Sequence, residues 1–72
     1  MELRAVTSSM VSEMGYDSLS RVLEVRFRNG KLVRYTGVSQ EDAAEVEGSE
    51  SIGKELRSRI MTGHSFEYVK EA

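Results

Sequence analysis

The chain has 72 residues, ten Lys or Arg against twelve Asp or Glu, a formal charge of −2, and neither Cys nor Pro. That length holds one small domain with a limited core, and the missing Cys rules out disulfides, thiolate zinc sites and cysteine nucleophiles. No apolar run approaches the ~20 residues of a membrane span and MELRAVTSS lacks an apolar signal core, so a soluble cytoplasmic protein is expected.

Residues 3–6 make a short extended candidate that runs into Thr7-Ser8-Ser9, a group of turn formers. Beyond it, Met10, Ser12, Met14 and Tyr16 fall on one face and Val11, Glu13 and Gly15 on the other. This alternation predicts a strand over residues 10–16. Asp17-Ser18 then turns the chain into VLEVRFRNGKLVRYTGV, residues 22–38, where two alternating runs flank Asn29-Gly30 and specify a β-hairpin.

Two hairpin registers compete. A two-residue Asn29-Gly30 loop sets Arg28 against Lys31 and Arg26 against Val33, so like charges meet and polar residues face apolar ones. A type I turn over Phe27 to Gly30, closed by a bulge at Gly30, sets Phe27 against Lys31, Val25 against Val33 and Leu23 against Tyr35. The second register gathers Leu23, Val25, Phe27, Val33 and Tyr35 on one face. It leaves Glu24, Arg26, Leu32 and Arg34 on the other, with Glu24 opposite Arg34, and it is the register expected.

The period then changes. Ser39 followed by Asp42 is a capping-box-like start, Val38 and Ala43 sit where a hydrophobic staple would, and Gly48 suits a stop, which predicts a helix over residues 40–47. Ser49 or Ser51 can begin a second helix through Met61, with Ile52, Leu56 and Ile60 on its inner face and Lys54, Arg57 and Ser58 outside. Gly63 ends it, and residues 66–69 suit a last strand. The sum is an α+β fold in one domain spanning the chain: a small antiparallel, hairpin-based sheet with two short helices packed on one face.

Charge is unevenly placed. Residues 21–34 carry Arg21, Arg26, Arg28, Lys31 and Arg34 against Glu24, whereas residues 39–50 carry five acids and no base. A positive hairpin beside a negative helix can offer one attractive face to an anion, or both can be ordinary solvated surface. Catalytic patterns are missing. His64, the only histidine, has no partner placed beside it by spacing, Ser8-Ser9 lack a nucleophile elbow, the glycines form no phosphate loop, and no metal or cofactor motif is present. A non-enzymatic protein without cofactor is expected.

What remains is basic residues interleaved with aromatics. Arg26, Arg34 and Tyr35 on the hairpin, with Lys54, Arg57 and Arg59 on the second helix, are candidates for contacting phosphates or stacking on bases. For Tyr35 the register favours a place in the core, and Arg34 has Glu24 as an alternative partner.

Val6-Thr7-Ser8-Ser9, Gly15-Tyr16-Asp17, Leu23-Glu24-Val25-Arg26-Phe27 with Gly30, Tyr35-Thr36-Gly37-Val38, and Ser51-Ile52-Gly53 followed by Ile60 stand in an order that resembles the KTSC domain over residues 6–69. That family is named for the C-terminus of some lysyl-tRNA synthetases and includes small stand-alone proteins. The chain departs from it at Val33-Arg34-Tyr35, where the family has Tyr-x-Tyr, and at Glu55-Leu56-Arg57, where it has an aromatic pair and Asn. The resemblance implies the fold and, through the synthetase context, RNA binding; it implies no catalytic residues. The leading expectation is an RNA-binding module using Arg26, Arg34, Lys54, Arg57 and Tyr35. The alternatives are protein interaction or self-association through a sheet edge or an apolar patch at Leu32, and binding of a small anionic ligand such as a nucleotide.

Overall fold

A computed structural model describes residues 2–70. Five strands, β1 (Arg4–Ala5), β2 (Val11–Asp17), β3 (Val22–Phe27), β4 (Leu32–Tyr35) and β5 (Phe66–Tyr68), form one antiparallel sheet in the order of the chain. Between β4 and β5 the chain forms the helical layer, α1 (Gln40–Glu47) and α2 (Ile52–Glu55), the latter continuing into a π-helical segment, Leu56–Met61. The expected α+β architecture is therefore the one present.

The hairpin adopts the bulged register. Leu23 lies opposite Tyr35, Glu24 opposite Arg34 and Val25 opposite Val33. Gly30 N–H donates to the Phe27 carbonyl at 2.9 Å, Phe27 N–H to the Lys31 carbonyl at 2.9 Å, and Gly30 has φ +93° while Asn29 stays at negative φ. A type I′ turn needs positive φ at both residues, so that alternative is ruled out.

Apolar residues of one sheet face (Val11, Met14, Leu23, Val25, Val33, Tyr35) meet Val38, Ala43, Val46, Ile52, Leu56 and Ile60 of the helical layer in a single core. Burying each larger side chain contributes roughly 1.5–3 kcal/mol, the main source of stability in so small a domain. Ser39 Oγ accepts from Asp42 N–H at 3.1 Å, and Val38 and Ala43 are both buried, so the first helix starts as the sequence specifies. In the second helix Ile52, Leu56 and Ile60 are all buried; a wider winding keeps residues four apart nearly in line, so the buried stripe survives the change to π geometry.

Two expectations need correction. The alternation in β2 fails at its start because a bulge between Val11 and Glu13 shifts the pairing, turning Val11 into the core beside Met14. Leu32, expected to be an exposed apolar residue on the polar face, is only 7% exposed. Arg26 lies opposite it on β3, and Val69 N–H donates to its carbonyl at 2.8 Å just beyond β5, so Leu32 offers no docking patch.

Candidate nucleic-acid interface

The outer sheet face is where Arg26 and Arg34 lie, and cross-strand pairing decides their partners. Arg34 donates to Glu24 through Nε at 3.0 Å and Nη2 at 2.8 Å, and through Nη1 to Glu67 on β5 at 3.4 Å. Arg26 Nε donates to Glu13 on β2 at 3.1 Å. The Glu24 bonds, then its charge, hold Arg34 more firmly protonated than a free guanidinium. Counting bases along the hairpin therefore overstates its positive charge, since β2 and β5 supply Glu13 and Glu67. Similarly, Arg59 reaches Glu55 at 2.7 Å, Asp42 at 3.4 Å and Glu45 at 4.0 Å, joining the helical segment to α1.

The other seven cations differ from these, and four of them lie on the helical side of the hairpin or on the second helix. Arg28, Lys31, Lys54 and Arg57 form no ion pair with a carboxylate among the described residues. Arg28 N–H donates to the Met10 carbonyl at 3.0 Å and its Nε to the Ser8 carbonyl at 2.6 Å, so the hairpin leans on the turn at residues 7–10. Arg57 Nη2 lies 3.8 Å from Met10 Sδ. Lys54, Arg57 and Met61 follow one stripe of the helix. Met10 touches both Arg57 and the Arg28 backbone, Lys54 lines the same cleft as Met10 and Arg57, and Lys31 shares a groove with Phe27 and Met61, so the four cations follow one rim of the domain.

At the far end of this rim is an aromatic groove of about 260 Å³ lined by Phe27, Asn29, Lys31, Val33, Tyr35, Met61, Phe66 and Tyr68. It exists because β5 carries Phe66 and Tyr68 on the helical side of the sheet, where Met61 at the end of the helical segment borders them without covering them. Phe66 is 56% and Tyr68 63% exposed. Their rings meet edge to face at 5.8 Å, Phe66 lies 6.1 Å from Tyr35, and Lys31 Nζ sits 5.3 Å from the centre of the Tyr68 ring. Tyr35 is 3% exposed and forms the floor; burial, with Tyr68 beside it, pushes its phenol above the usual value, so it stays neutral. Phe66, Tyr68 and Lys31 were not singled out from the sequence. The available signal was the spacing Phe66-x-Tyr68, which puts both rings on one face of a strand.

The single histidine is structural in this arrangement. His64 Nδ1 lies 3.1 Å from the Thr36 carbonyl, which is a hydrogen bond when Nδ1 carries the proton. Thr36 N–H donates to the Ser65 carbonyl at 3.0 Å, so both contacts fasten the entry to β5. Among the described residues no group of three His, Cys, Asp or Glu side chains could hold a metal, and no helix is long and apolar enough to cross a membrane.

The KTSC domain family model matches residues 7–63. An uncharacterised protein of Stutzerimonas stutzeri is 31% identical over 64 residues, which cover 89% of this chain and 90% of that protein. Among solved structures, a KTSC domain protein from Yersinia pestis superposes with a TM-score of 0.92 at 25% identity, covering 96% of this chain and 97% of the other.

Proposed function

The chain belongs to the KTSC domain family, and from that premise we propose that it is a small non-enzymatic module that binds single-stranded RNA along the rim, in a cytoplasmic setting. The observation that carries this reading is the pair Phe66 and Tyr68, two aromatic rings left open to solvent beside a lysine that has no carboxylate partner among the described residues. Every base has a π face, so adjacent exposed aromatics act as a stacking platform, while Lys31, Arg28, Arg57 and Lys54 would follow the phosphates. Of the residues expected from the sequence, Lys54 and Arg57 fit this path, whereas Tyr35, 3% exposed, is too buried to stack on a base and only floors the groove. Arg26 and Arg34 lie on the opposite sheet face in ion pairs, and the reading assigns them to the fold.

Four phosphate contacts on a single strand predict a slope of roughly −2 to −3 for log K against log salt concentration. Titrating a fluorescent oligouridylate at several salt concentrations measures that slope; absence of binding at low salt refutes the reading. A second reading, association through the open edge of β5, is favoured by the same exposed aromatics. Sedimentation separates them, because that reading requires a dimer or a protein complex without RNA.

A further inference from the structure

The rim ends, away from the aromatic groove, in a polar cleft of about 240 Å³ lined by the turn at residues 7–10 on one wall and by residues 50–54 with Arg57 on the other. We propose that this cleft holds a terminal phosphate monoester of the bound RNA, an assignment that rests on the RNA reading above and adds an end preference to it.

The cleft is a built feature. Ser8 Oγ accepts from the backbone N–H groups of Met10 at 3.1 Å and Val11 at 3.2 Å, and the Ser8 carbonyl is held by Arg28, so the turn is fixed from inside and outside. The opposite wall comes close because Gly53 has no side chain: a Cβ there would stand 3.3 Å from Met10 Cβ. Ser51 occupies the cap position of the second helix but its hydroxyl makes no capping bond, while its backbone N–H donates to Ser49 Oγ at 3.0 Å. The hydroxyls of Thr7, Ser9 and Ser51 are thus free of protein partners among the described residues.

Charge supplies the selectivity. Among the described residues Lys54 and Arg57 form no ion pair with a carboxylate, whereas Arg59, two residues beyond Arg57, reaches three. Two cations with three hydroxyls match a dianionic monoester, which offers more charge and more acceptor oxygens than an internal phosphodiester. Glu50 also lines the cleft and opposes any anion, so it sets a limit on affinity.

The test compares hexauridylates ending in hydroxyls, in a 5′-phosphate and in a 3′-phosphate, with uridine monophosphate as the free-nucleotide arm, on the intact protein. The expected result is about tenfold tighter binding of a phosphorylated end, the scale of a charge-assisted contact, which disappears in Lys54→Ala and Arg57→Ala. Both residues are exposed, so the variants should keep the wild-type melting temperature, and Glu50→Gln should tighten binding of the phosphorylated RNA. Equal binding of all three RNAs overturns the phosphate site and leaves the RNA reading standing. Uridine monophosphate binding as tightly as the phosphorylated RNA overturns the assignment to an RNA end. No binding by any RNA overturns both.

Discussion

Replacing Gly30 by Val tests the hairpin on which the aromatic groove is built. Gly30 sits at φ +93°, where an added Cβ meets nothing within 4 Å, so the cost is backbone strain alone. Placing an L-residue there costs roughly 1–2 kcal/mol, and the loss of unfolded-state freedom returns about 0.4–1 kcal/mol, leaving a net loss of about 1 kcal/mol. Asn29→Ala removes one exposed hydrogen bond, from Lys31 N–H to Asn29 Oδ1 at 3.0 Å, at a cost of about 0.5 kcal/mol. With a urea slope near 1 kcal/mol/M for so small a domain, the midpoints should fall by about 1 M and about 0.5 M at unchanged slope. Urea titration followed by far-ultraviolet circular dichroism reads both. Equal losses would mean that Asn29 is as strained as Gly30 and would refute the bulged turn, together with the faces derived from it.

Gly15→Ala should release the N-terminal strand, because a Cβ at that position would run into the backbone carbonyl of Glu2; amide exchange of residues 4–5 should accelerate while β3 and β4 stay protected. Asp17 has its pKa lowered from 3.8, first by the Leu19 backbone N–H and then by Ser20. Its charge therefore stabilises the fold fully above the unfolded value and is lost as pH falls through the lowered folded value, so the melting-temperature difference between wild type and Asp17→Asn should vanish in strong acid. Arg34→Ala should destabilise more than the Glu24→Ala, Arg34→Ala double variant does relative to Glu24→Ala, since the single change strands a nearly buried carboxylate; additive losses in a denaturation cycle would contradict the pairing.

Much of the architecture was legible because local and long-range signals agree. Glu24 opposite Arg34, the apolar set from Leu23 to Tyr35, and the cap at Ser39 each point to the same strands and helix. The β2 bulge was not legible, because strict alternation through residues 10–16 looks equally good without it, and only pairing with Phe27 and Arg26 reveals the shift. The candidate site was half legible. Charge counted along one segment cannot register acids from β2 and β5, so Arg26 looked available and Arg34 was given only Glu24; Lys54 and Arg57 sit beside Met10, serines and Glu50 without forming an ion pair among the described residues. Phe66 and Tyr68 read as ordinary strand residues, and their exposure follows from where the helical layer stops.

The aromatic groove and its lysine, and not the outer sheet face, are the surface proposed to hold RNA. Fluorescence anisotropy with a single-stranded oligouridylate at low salt compares Tyr68→Ala with Arg26→Ala directly, each first shown to be folded. Stacking contributes roughly 1–3 kcal/mol per base, so Tyr68→Ala should weaken binding by about 5- to 150-fold. Arg26→Ala, on the far face, should leave it within about twofold, the small residual expected of a screened distant charge. Binding that survives Tyr68→Ala unchanged, or that is lost in Arg26→Ala, contradicts the claim.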